Sequence, residues 1–96
     1  MKINFSIDSN NLIISIDGRL DTITAPEFED FLKSNLIGVN KVMIDCKNLV
    51  YISSAGLRVL LSLNKKMKNY VKLINVQEVV MEVLEVTGFA DILEIE

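Results

Sequence analysis

Histidine is absent from the 96-residue sequence. That absence removes Ser-His-Asp and Cys-His catalysis, imidazole metal sites and the commonest general base together, and with them most hydrolase chemistry. The single cysteine, Cys46, permits no internal disulfide and fits a reducing compartment, with buried packing its expected role. One proline and four glycines leave no linker or low-complexity tract, and the length fits one domain over residues 1–96. No apolar run is long enough to cross a bilayer and no leader-like segment follows Met1, so the expected location is the cytoplasm, without membrane insertion. Positive charge is not in excess either. Ten Lys and Arg face thirteen Asp and Glu, a formal net charge of -3, and only Lys65, Lys66 and Lys68 cluster, which disfavours direct nucleic-acid binding through phosphate neutralisation.

What is present is apolar and periodic. Half of the residues are hydrophobic and 24% are charged, the balance of a packed core. Residues 2–8 alternate, with Ile3, Phe5 and Ile7 on one face of a half-buried strand. The turn signal Ser9-Asn10-Asn11 and the apolar residues Leu12, Ile13, Ile14 and Ile16 complete an antiparallel hairpin that Gly18 closes. Thr24 and Glu27 have capping-box spacing around Pro26, predicting a helix with the stripe Phe28, Phe31, Leu32 and Leu36 that ends near Gly38. Residues 41–46 are apolar without alternation, as in an interior strand covered on both sides. Residues 50–55 read as a loop at a strand's carboxyl end, opening an amphipathic helix with Leu57, Leu60, Leu61 and Met67 on its apolar face. Residues 70–74 form a further strand. Asn75 and Glu78 repeat the capping-box spacing before a docked helix to Thr87, stopped by Gly88, and the tail 89–96 fits a short helix or a last edge strand equally. The expected fold is α/β, a mixed sheet of four to five strands with packed helices in the order β-β-α-β-α-β-α.

Candidate chemistry is sparse. Asp17, Asp21 and Asp45 lie at predicted strand ends, yet aspartate serves turns and caps by local hydrogen bonding, and that reading is preferred for Asp17 and Asp45. A phosphate-cradling loop needs several glycines and usually a lysine, whereas the loop at Ser53 and Ser54 has only Gly56, with Arg58 the nearest downstream cation. Two serines stand at one helix start where a cap needs one. Ala55 and Gly56 beside them read as clearance for a large partner, and the polar stretch 18–24 falls at the same sheet end.

Three segments then carry a resemblance: Gly18-Arg19-Leu20-Asp21, the run Asp45 to Leu57 with its Ser53-Ser54-Ala55-Gly56 core, and Val83-Leu84-Glu85-Val86-Thr87-Gly88-Phe89. Together, over essentially the whole chain, they resemble a STAS domain of the bacterial anti-sigma factor antagonist type. The resemblance implies a STAS-like fold and a regulatory phosphoprotein of signal transduction and transcription regulation, neither an enzyme nor the holder of a cofactor. When unphosphorylated, such a protein binds an anti-sigma factor that is also a serine kinase, and so releases a sigma factor. A PP2C-type phosphatase reverses the modification. The family's acceptor falls on Ser54. Many members carry Asp immediately before it, where this chain carries Ser53, which is left as the helix cap or as an alternative acceptor. The implied partner-binding surface comprises Asp21, Thr22, Ser53, Ser54, Ala55, Gly56, Leu57 and Arg58. The alternative is a non-phosphorylated scaffold or an accessory subunit of a signalling or lipid-transport complex, holding partners through helix faces that include Val59 and Leu63.

Overall fold

A computed structural model describes residues 1–96. The chain runs β1 (Lys2–Asp8), β2 (Asn11–Leu20), α1 (Ala25–Asn35), β3 (Lys41–Asp45), β4 (Leu49–Ile52), α2 (Ser54–Lys66), β5 (Val71–Ile74), α3 (Glu78–Val86), a 3-10 turn (Phe89–Asp91) and β6 (Glu94–Ile95). The sheet order is β1-β2-β3-β5-β6, with β4 also paired to β2. Only β1 is antiparallel to its neighbour. This is the expected mixed α/β fold and element order, with two short strands added, β4 and β6. The tail takes both of the forms open to it, a helical turn and then an edge strand.

Period-2 patterning puts Leu12, Ile14 and Ile16 of β2, Val42 and Ile44 of β3, and Val71 and Leu73 of β5 on one sheet face, all buried. The other face is only half-buried at Ile13, Met43 and Ile74, so β3 is interior in the sheet but fully covered on one side alone. Phe28 and Leu32 of α1 and Leu57, Leu60 and Leu63 of α2 complete the core. Fully removing a side chain of this size from water stabilises by about 1.5–3 kcal/mol each, which is why residues so regularly spaced set the helix orientation.

Several local expectations do not hold. In β1, Phe5 is 51% and Ile7 57% exposed, because helices cover only part of this edge. Gly18 does not close the hairpin: β2 continues through it at φ +107 to Leu20, and this extension pairs with β4. Val59 and Leu63 are buried, not free for partners, since α2 is covered on a second side by Leu32 and Leu36 of α1. Leu61 is only half-buried. Neither capping box forms. Thr24 Oγ1 donates to the Arg19 carbonyl at 2.7 Å instead, and Asn75 takes φ +55 with its amide donating to Asp45 Oδ1 at 3.1 Å, leaving Gln77 as the residue before α3. Of the valines on α3, Val80 is buried, whereas Val79 and Val86 face solvent.

Candidate functional site

The two polar segments singled out in the sequence meet at the end of β2. The amide of Ser53 donates to the carbonyl of Leu20 at 2.9 Å, fastening the start of α2 beside Asp21. What brings Ser53 there is β4, a strand where the sequence pattern predicts a loop. Leu49 pairs with Gly18, Tyr51 with Arg19 and Ile52 with Leu20, so Val50 is the extra residue of a bulge. The bulge turns Val50 and Tyr51 outward together while Leu49 and Ile52 stay buried. Arg19 lies over the Tyr51 ring with its guanidinium carbon 4.1 Å from the centroid, and its Nε is 3.5 Å from Asp21 Oδ2. These contacts hold the two strand ends in register on the solvent side.

Asp21 is an organiser of its own turn. Its Oδ1 accepts from the amides of Ile23 at 3.0 Å and Thr24 at 3.1 Å, and its own amide donates to Thr24 Oγ1 at 2.9 Å. The Thr24 amide above all holds the carboxyl below the usual carboxylate range. The Ile23 amide, the Thr24 hydroxyl and Arg19 add to this against an opposing desolvation. Asp21 is therefore ionised at neutral pH, fixed in direction and still partly open to solvent. Thr22, the next residue, is exposed. It shares a shallow depression with Pro26 and Glu29 of α1 and with Ala55, Arg58 and Val59 of α2.

Ser54 is the first residue of the 13-residue helix α2 and is exposed. No side chain caps this helix, and its first turn holds no acidic residue. Ser53 occupies the cap position in an extended conformation, but its hydroxyl oxygen is enclosed and makes no hydrogen bond. Ser53 is thus joined to the site through its backbone and does not act as the side-chain cap. Leading amides of a helix have no partner in a preceding turn, so this end carries unneutralised partial positive charge beside an accessible hydroxyl.

Two of the residues assigned to the partner surface lie beneath it. Leu57 is 4% exposed, in the core. Gly56 is buried, and a Cβ built on it would lie 2.8 Å from both Leu20 Cγ and the Leu20 carbonyl oxygen. Its clearance serves the approach of α2 to β2, not a docking partner. Asp21, Thr22, Ser54, Ala55 and Arg58 retain accessible surface around the junction. The remaining acids do not join them. Asp17 accepts from Asn48 Nδ2 at 3.3 Å, Asp45 accepts from the Lys47 amide at 3.0 Å, and no group of three His, Cys, Asp or Glu is placed to hold a metal ion. Cys46 is buried, and desolvation, with Asp45 nearby, pushes its thiol up to about 12. Sequence reasoning missed Arg19 and Tyr51, whose cross-strand pairing follows only once the Val50 bulge is known. No helix is long and apolar enough to cross a membrane.

The STAS domain model matches residues 2–96. BtrV of Bordetella bronchiseptica, carried under the provisional name of an anti-sigma factor antagonist, is 32% identical over 96 residues, covering 96% of this chain and 83% of its own. Among solved structures, TM1081 of Thermotoga maritima superposes with a TM-score of 0.89 at 21% identity, covering 97% of this chain and 84% of that one. The Bacillus cell fate determinant SpoIIAA, in its phosphorylated form, gives 0.74 at 13% identity over 99% and 91% of the two chains. The last two establish a shared fold, and the match over residues 2–96 together with BtrV establishes the kinship: the chain belongs to the STAS domain family and groups there with the anti-sigma factor antagonists.

Proposed function

We propose that this chain is a phosphorylation-controlled protein–protein switch acting in the cytoplasm, with Ser54 as the acceptor. Unphosphorylated, it binds an anti-sigma factor of the serine-kinase type and thereby releases a sigma factor for transcription. A PP2C-type phosphatase restores that state. The observation that carries the proposal is the exposed Ser54 at the uncapped start of α2, adjoining the Asp21 turn through the Ser53–Leu20 hydrogen bond. Ser53 is the poorer acceptor because its hydroxyl is enclosed.

The physical consequence of modification is local. A phosphoryl group adds about -1.5 to -2 charges. At this position the helix dipole and free amides accommodate an anion, and the first turn presents no opposing carboxylate. The fold therefore persists, while the docking surface formed by Asp21, Thr22, Ser54, Ala55 and Arg58, where Asp21 and Arg58 balance, becomes net negative. A dianion beside the ionised Asp21 has to be desolvated when a partner closes over it, so the modification acts on affinity. The test is incubation with Mg-ATP and the kinase-type anti-sigma factor, followed by intact-mass analysis and peptide mapping. One phosphoryl group on Ser54, lost in Ser54→Ala, is expected. Phosphate on neither Ser53 nor Ser54 with a demonstrably active kinase refutes the assignment.

A further inference from the structure

The two edges of the sheet are treated differently. On one side β6 has two residues and Glu94 on its exposed surface, a short and charged edge of the kind that resists pairing. On the other side β1 has seven residues, Lys2–Asp8, paired without interruption to β2 and to nothing beyond it. It contains no proline, glycine or bulge, and its charges stand only at its ends. Its partly covered face carries Phe5 and Ile7, about half exposed each, with Phe5 steadied edge-on against Phe31 of α1 at a centroid distance of 5.0 Å.

The strand is also self-complementary. In an antiparallel pair of two copies related by a two-fold axis at Phe5, each Lys2 stands opposite the copy's Asp8, each Ile3 opposite Ile7, each Asn4 opposite Ser6, and the two Phe5 rings face each other. Opposite charges and apolar pairs directly across a ladder are the favourable cross-strand combinations. Lys2 and Asp8 are both exposed and neither is in an ion pair within its own chain, so both are free to meet the copy. No other register of the strand with itself matches all seven positions. We propose that β1 is a homodimerisation edge: two copies pair β1 to β1 antiparallel about Phe5, joining their sheets into one, with Phe5, Ile3 and Ile7 of both copies filling the space beside α1. The contact is isologous, so it closes at two copies and does not propagate.

Sedimentation velocity of the purified chain over a range of concentrations tests this. A rise from the 10.8 kDa monomer to twice that mass is expected. Lys2→Asp should weaken the dimer about tenfold, because symmetry places the like-charge pair twice, and Lys2→Asp combined with Asp8→Lys should restore it. These exposed positions leave the core untouched, so circular dichroism should match the parent, whereas Phe5→Lys should abolish association. A monomer at every concentration overturns the proposal. So does a dimer that Lys2→Asp leaves unchanged or that the paired exchange fails to restore.

Discussion

Replacing Gly56 with alanine would place a methyl group 2.8 Å from Leu20 Cγ, 2.8 Å from the Leu20 carbonyl oxygen and 3.0 Å from Ile52 Cγ1. Two effects then compete. In an open helix interior, glycine to alanine gains roughly 0.5–1 kcal/mol by reducing backbone freedom in the unfolded chain. Overpacking a well-filled site costs about 1–3 kcal/mol. Here the cost wins, because one of the obstructing atoms is backbone and already engaged. The Leu20 carbonyl accepts from the Ser53 amide at 2.9 Å, so it cannot retreat without loosening the bond that joins the two loops, and the Leu20 side chain is itself fully buried. A net loss of about 1–2 kcal/mol is expected, equivalent to about 5–15 °C in Tm for a domain of this length. With a urea slope of about 1–3 kcal/mol/M, the midpoint of a far-UV circular dichroism titration should fall by roughly 0.5–1 M at constant slope. A Gly56→Ala midpoint equal to or above that of the parent would refute the close approach of α2 to β2, and with it the reading of Gly56 as a packing residue.

Three further outcomes are expected. Because the Ser53 hydroxyl is enclosed without a partner, Ser53→Ala should hold or raise stability by up to about 1 kcal/mol in urea titration, whereas removal of a working cap would lower it by about 1 kcal/mol. Cys46, whose thiol is pushed up to about 12, should resist iodoacetamide in the folded protein at neutral pH and react after unfolding, as read by mass spectrometry. The Asp21 carboxyl is held below its ordinary value of 3.8, so the stability it lends is complete above that value and is lost as pH falls through the lower folded value; the urea midpoints of the parent and Asp21→Ala should differ at neutral pH and converge in acid.

The parts of the fold that were legible in the sequence are those where one residue's pattern answers to one surface. The alternation of β1 and β2, the stripe Phe28, Phe31 and Leu32, and the stop ahead of Gly88 all depend on local spacing. The parts that were not legible depend on a second element. β4 has no strand signature because the bulge at Val50 breaks its alternation, and that bulge exists only through pairing with the far end of β2. The capping spacings at Thr24 and Asn75 were real in sequence, but tertiary hydrogen bonds to Arg19 and Asp45 claimed both side chains. The burial of Val59 and Leu63 on a second side of α2 follows from where α1 lies, which spacing within α2 does not contain. At the candidate site, Asp21 and the serine pair were legible from their motifs, whereas the inward duty of Gly56 and the Arg19–Tyr51 contact required the register of β2 with β4.

In the proposed switch, the chemical state of Ser54 sets the affinity of a docking surface without altering the fold. Isothermal titration of the kinase-type anti-sigma factor with the unmodified chain and with the chain singly phosphorylated at Ser54 measures that directly. At least about tenfold weaker binding of the phosphorylated form is expected, from a desolvated dianion at the centre of the contact, with unchanged circular dichroism. Equal affinities for the two forms would contradict the account.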